Sequence, residues 1–166
     1  MPWRRRRRPN FGPNGQSLDT RTSTGGPSPG PGGLNPVLAE DLELKRSWVS
    51  GFVPSEHRGA FDASWESKID WLARILEQVE IATDDAVALQ ALGVVLGDAI
   101  AQRLDGSWVQ VEDEYGTDAA VLLGGTTDAI VFPQTMISKR VERGEILDRD
   151  SLAGLIEFSA EAKRRT

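Results

Sequence analysis

Apolar residues recur at helical spacing through the middle of the chain, then alternate for a short stretch. Asn35-Pro36 opens the first helical run, because Asn caps a helix N-terminus well and Pro suits its first position. Leu38, Leu42, Lys45 and Val49 follow one stripe, with Trp48 beside it, and Gly51 ends it. A loop containing Pro54, His57 and Gly59 is predicted next. A second helix begins near Asp62 or Ser64. Trp65, Ile69, Leu72, Leu76 and Val79 share one face, and Glu66, Lys68, Asp70, Arg74 and Glu77 form a wet back. A third helix, predicted from Thr83, is apolar nearly all round from Val87 to Ile100 and therefore belongs at the centre of the fold. Gly93 and Gly97 lie four residues apart on one of its faces. Each costs about 1 kcal/mol of helix propensity, which implies a neighbour packed closely against that bare strip. Asp105-Gly106 ends this helix.

Strand signals follow. Val109, Val111 and Asp113 alternate with Trp108, Gln110 and Glu112, which places Glu112 and Glu114 on one face and Asp113 on the core side. A turn is predicted over Tyr115–Asp118, a second strand over Ala119–Leu123, a turn over Gly124–Asp128, and a third strand over Ala129–Phe132. Connections this short imply an antiparallel meander. Pro133 starts a short helix that Gly144 stops, with Lys139, Arg140 and Arg143 in its last turns. A last helix runs from about Asp148 to Lys163-Arg164-Arg165. The fold class is α+β: a three-helix N-terminal segment, a three-stranded antiparallel meander and C-terminal helices.

Composition divides the chain. Residues 1–35 hold seven Gly and six Pro with almost no aliphatic residue, and are predicted to be a disordered Arg/Pro/Gly-rich tail. Residues 36–166 suit a single α+β domain with one core. Charge divides at the same place. The tail carries six Arg against one Asp, and residues 36–166 carry 13 Lys+Arg against 24 Asp+Glu. A domain this acidic repels phosphate backbones, so nucleic acid is not its expected partner. Arg4, Arg5, Arg6, Arg7 and Arg8 could make electrostatic contact with nucleic acid, a membrane surface or the chain's own acidic domain. No apolar stretch follows them, so a secretion signal is not expected. The run Ala86–Ala101 is too short and too polar for a membrane span. With no Cys and a single His, disulfides and multi-His zinc sites are excluded within one chain, and no metal or cofactor is expected. A cytoplasmic location is expected.

The segments LGVVLGD at 92–98, WVQVEDEYG at 108–116 and VFPQTMISKRVERGE at 131–145 together resemble a bacterial family, domain of unknown function 3806. The resemblance covers residues 91–145. It implies a small bacterial α+β domain and supplies no catalytic residues.

Candidate chemistry is sparse. Glu112, Asp113 and Glu114, with Tyr115 beside them, form the densest acidic point. They suit acid–base work, a hard cation, or a solvated strand end bridged to Lys139 or Arg140. Lys139, Arg140 and Arg143 could bind an anion, although basic residues at a helix C-terminus also complement its dipole. Asp98, within the most apolar helix, needs a partner if it faces the core, and Arg140 or Lys139 is expected to supply it in a buried ion pair. His57 is expected at the surface. Trp48, Trp65, Trp71 and Trp108 suit helix–helix contacts, and Trp71 lies outside the main stripe, where it could mark a partner surface. The expected function is a non-catalytic interaction or regulatory module that binds another protein through an acidic surface, as small acidic bacterial immunity proteins do. The alternatives are a small enzyme or ligand-binding domain built on Glu112, Glu114, Asp98 and Arg140, and a protein tethered by its arginine tail.

Overall fold

In the computed structural model of the chain, residues 33–124 and 129–165 are described. The arginine run and most of the Gly/Pro-rich tail lie outside them, as does most of the second predicted turn. Six helices and three strands are present among the described residues: α1 (Pro36–Ser50), α2 (Ser55–Ala63), α3 (Trp65–Gln78), α4 (Ala86–Leu104), β1 (Ser107–Asp113), β2 (Gly116–Leu122), β3 (Ile130–Val131), α5 (Pro133–Glu142) and α6 (Arg149–Arg165). The α+β class and the antiparallel meander follow the sequence pattern.

The caps explain the boundaries. Asn35 Oδ1 accepts the Leu38 N–H at 2.9 Å at the start of α1, and Ser64 Oγ accepts the Ser67 N–H at 3.1 Å at the start of α3. The cap of α4 is Asp85, not Thr83: its Oδ1 takes the Ala88 N–H at 3.1 Å, and the helix begins at Ala86. Asp105 closes α4 in the left-handed conformation.

The predicted loop after α1 is in fact the short helix α2. Only Phe61 of its nine residues is buried, so its apolar periodicity is too thin to read. The β1–β2 turn is also tighter than predicted. Glu114 and Tyr115 alone make the loop, because Asp113 already pairs with Gly116 and the strands run in register back to Ser107 and Leu122. The β2–β3 ladder pairs Val121 with Val131 and Leu122 with Ile130.

Helix α4 is the centre. Leu89, Leu92, Val94, Leu96 and Ile100 are all buried, and α1, α3, α5, α6 and β2 pack around it. It is the one helix among the described residues long and apolar enough to cross a membrane, and most of it is buried inside the protein. The glycine strip receives α5 and β1. A Cβ at Gly93 would stand 2.5 Å from the Pro133 carbonyl oxygen and 2.7 Å from Gln134 Cα, and one at Gly97 would collide with the Trp108 ring. The sheet is apolar on both faces. Trp108, Ala119, Val121 and Val131 turn toward the helices, while Val109, Val111, Ala120 and Phe132 form a second, smaller cluster on the other side.

Candidate functional site

Buried polar groups meet where α1 crosses α4. Lys45, on the apolar stripe of α1, is buried, and its ammonium donates to Asp41 Oδ2 at 2.6 Å and to Gln134 Oε1 of α5 at 2.7 Å. Gln90 Oε1 of α4 lies 3.5 Å away. All three ammonium hydrogens thus have acceptors, and three helices are tied together.

The next residue of α1, Arg46, grips Asp98. Arg46 Nε donates to Asp98 Oδ2 and Nη2 to Oδ1, each at 2.7 Å. Trp108 Nε1 donates to the same Oδ1 at 2.8 Å. The hydrogen bond to Asp98 holds the Arg46 guanidinium above its ordinary pKa, against the opposing effect of burial. Asp98 is therefore paired as expected for a charge in an apolar helix, but with a different residue: the expected Asp98–Arg140 pair does not form. Asp98 points to α1, whereas Arg140 lies on α5, which packs on the glycine face. Arg140 Nη1 donates to the Met136 carbonyl at 2.7 Å, and its Nε stands 4.0 Å from Glu145 Oε2.

Lys68 also departs from the sequence reading. It is not on the wet back of α3 but buried, with its ammonium donating to the carbonyls of Phe61 (2.9 Å) and Asp62 (2.8 Å) and to Gln102 Oε1 (3.1 Å). It sits in the first turn of α3 and reaches back to the end of α2, whose last carbonyls lack intrahelical donors. Burial lowers its pKa, although the charges of Asp98 and Asp62 partly oppose this.

The acidic residues singled out by sequence lie at the tip of the β1–β2 hairpin. Thr117 Oγ1 donates to Glu112 Oε1 at 3.4 Å, and Asp113 Oδ1 accepts the Tyr115 N–H at 2.8 Å, closing the turn. Glu114 and Tyr115 are exposed. Just past the end of α5, Arg143 Nη1 stands 3.9 Å from Glu145 Oε1. Arg140 and Arg143 thus share Glu145 rather than the hairpin carboxylates. Among the described residues, no group of three or more His, Asp or Glu could hold a metal ion. His57 is exposed at 5.7 Å, centroid to centroid, from the ring of Trp71, and the Arg74 guanidinium lies 4.9 Å over that same ring. Trp48, Trp65, Trp71 and Trp108 are all half-buried against the core.

One surface feature escaped the sequence reading. Val37, Leu44 and Trp48 fall within about 40° of one another on the α1 helical wheel. Val37 is 68% and Leu44 47% exposed, and Trp48 is half-buried. Phe52, in the following turn, is 36% exposed and meets the Trp48 ring edge-on at 4.9 Å. The row spans about 22 Å at 1.5 Å per residue. Glu40 and Asp41 border it on either side. The i, i+7, i+11 spacing was visible in the sequence, but the stripe through Leu38, Leu42 and Val49 identified the buried face first.

These features describe an α+β domain of six helices and a three-stranded meander, with one apolar helix at its centre. The model of the family described as Domain of unknown function (DUF3806) matches residues 68–152, more than half of the 166-residue chain, and the chain belongs to that family. The match extends the resemblance read from residues 91–145 back into α3 and on into the first turn of α6. The comparison with curated proteins found no match. Among solved structures, the chain is similar to a crystal structure from Bacteroides thetaiotaomicron VPI-5482, with a TM-score of 0.57 and 9% sequence identity. The similarity covers 76% of this chain and 46% of that one, so this chain spans less than half of that protein's length. The likeness is one of fold.

Proposed function

We propose that this chain is a non-catalytic protein-interaction module and that the outer flank of α1 is its binding face. The observation that carries this reading is the exposed row of Val37 and Leu44 with Trp48 on α1, continued by Phe52 in the following turn. Exposed apolar and aromatic side chains recurring along one helix flank, with carboxylates among them, make the kind of surface that protein interfaces use. The buried polar groups support it from the other side. Lys45, Lys68, Arg46 and Asp98 all spend their hydrogen bonds on joining elements, which leaves none of them placed to act on a substrate.

Affinity capture with the full chain and with a Leu44→Glu variant tests the reading. Leu44 is exposed enough that the change leaves the core alone. A protein held by the wild-type chain and by a Phe158→Glu control, but released by Leu44→Glu, supports the α1 face. Capture that is indifferent to Leu44→Glu rejects it.

A further inference from the structure

We infer that the outer flank of α1 is a docking surface for the chain's own residues 1–32. The inference rests on the reading of that flank as a contact surface and names its occupant.

Three observations lead to it. The first is where the segment joins. Gly33, with φ of +87°, turns the chain immediately before α1, and Asn35 is anchored twice, by capping α1 and by its N–H bonding to Gln110 Oε1 of β1 at 3.1 Å. Residues 1–32 therefore enter the fold within one turn of Val37, the first residue of the exposed row. The second is charge. Residues 1–32 carry six Arg against one Asp, and residues 33–166 carry 13 Lys+Arg against 24 Asp+Glu. On α1 both cations are already paired with carboxylates, Lys45 buried and Arg46 half-buried. Lys45 is buried on Asp41 and Gln134, and Arg46 is drawn onto Asp98 and Glu43. Glu40 stays exposed beside the row. The third is apolar content. The arginines of WRRRRR directly follow Trp3, and Phe11 comes three residues after them. That is a basic segment with two aromatic side chains to lay on Leu44, Trp48 and Phe52.

Chain length allows it. The 24 residues between Arg8 and Gly33 are enough to cover the flank, since about 28 Å is the mean reach of a Gly-rich chain of that length. At that tether length the effective concentration is in the millimolar range, so contacts too weak to hold a separate peptide are populated within one chain. An external partner for the same face then has to displace the segment.

The absence of cysteine makes the test clean, because a single Cys can carry a nitroxide at one known place. The experiment uses the full chain with Gln16→Cys, spin-labelled and enriched in nitrogen-15, and reads amide NMR signals against the reduced label. Expected is loss of intensity at residues 37–48 beyond that in α6, restored by about 1 M salt, which shrinks the Debye length to about 3 Å, and by replacing Arg4–Arg8 with Ser. A matching amide spectrum shows that the replacement leaves the fold intact. Loss centred on the hairpin at residues 112–118, no localised loss, or loss arising only between labelled and unlabelled copies in a mixture would each overturn the inference. If Leu44→Glu abolishes partner capture while the label leaves α1 untouched, the binding face stands and its occupancy by residues 1–32 does not.

Discussion

Trp108 Nε1 donates to Asp98 Oδ1 at 2.8 Å, so the first strand is pinned to the helix that precedes it by the same carboxylate that Arg46 clamps from α1. Three elements meet at one side chain. The connection between α4 and β1 is two residues long, and this bond sets the angle at which the strand leaves the helix.

Removing that carboxylate strands a partly covered guanidinium and an indole N–H together. Asp98→Ala is expected to lower the unfolding free energy by about 1.5–3 kcal/mol, the range for hydrogen bonds to charged groups. The residual solvent access of the pair keeps the loss below that of a fully buried ion pair. Arg46→Met is expected to cost less, since Trp108 keeps its acceptor. Urea denaturation of the two single variants and the double variant measures the coupling, and a coupling near zero would contradict the shared-carboxylate account.

Two glycines in helices have opposite meanings. Gly93→Ala is expected to destabilise by about 1–3 kcal/mol, because the new methyl has to push the α5 backbone rather than a movable side chain. This happens despite the roughly 1 kcal/mol that alanine gains in helix propensity. Gly154 on α6 meets nothing within 4 Å, so Gly154→Ala is expected to stabilise by about 0.5–1 kcal/mol. Thermal unfolding of the pair separates the two effects by sign.

Lys68 gives the fold an alkaline pH dependence. Its pKa is lowered below the ordinary lysine value near 10.5, so between the two values the unfolded chain binds the extra proton and the native one does not. Stability from this group therefore rises with pH through that window. Lys68→Met is expected to be destabilising at neutral pH, because the carbonyls of Phe61 and Asp62 lose their donor. The gap between variant and wild type should change across the same alkaline window. Denaturant midpoints at several pH values read it, and a gap that stays constant would speak against a shifted Lys68.

Tyr115 is the one tyrosine in the chain, so phenolate absorbance reports it alone. Its hydroxyl donates to Glu114, and with the neighbouring negative charge this raises its pKa above 10.0. The folded protein holds this proton where an unfolded chain has released it. The linked contribution is present below the unfolded pKa and fades as pH rises through the folded one. Glu114→Gln removes the charge and is expected to move the absorbance midpoint downward. An unchanged midpoint would mean that the turn does not hold the two side chains together.

Local pattern carried much of the architecture. The all-round apolar sequence of α4 announced a central helix, and Gly93 and Gly97 announced the close neighbour that Pro133, Gln134 and Trp108 provide. Alternation at residues 108–113 located β1. What stayed illegible depends on distance in sequence. Asp98 finds Arg46, 52 residues away, and no local spacing reveals which of several cations a helix face will meet. Lys68 has the same character: its position on the wheel is polar, but the end of α2 folds over it. Helix α2 itself, with Gly59 inside and Pro54 at its start, carries turn signals and one buried side chain, so only tertiary contact makes it a helix. Sequence placed the acidic residues at the end of β1, but it put the turn over Tyr115–Asp118, where Gly116 to Asp118 in fact already belong to β2. The exposed flank of α1 was not found, since an apolar residue beside a buried stripe reads as part of that stripe.

The arrangement around α4 also limits how the chain can change in length. Its neighbours are fixed at particular residues: α1 at Asp98, α5 at Gly93, and β1 at Gly97 and again at Asp98. One residue inserted between Gly93 and Gly97 would turn the second half of the helix by about 100° relative to the first. Trp108 would then meet a side chain where it now lies on bare backbone, and Arg46 would face an apolar surface. A change of length inside α4 is therefore expected to cost far more than one in the connections between elements, because it alters the phase on which every neighbour of this helix depends.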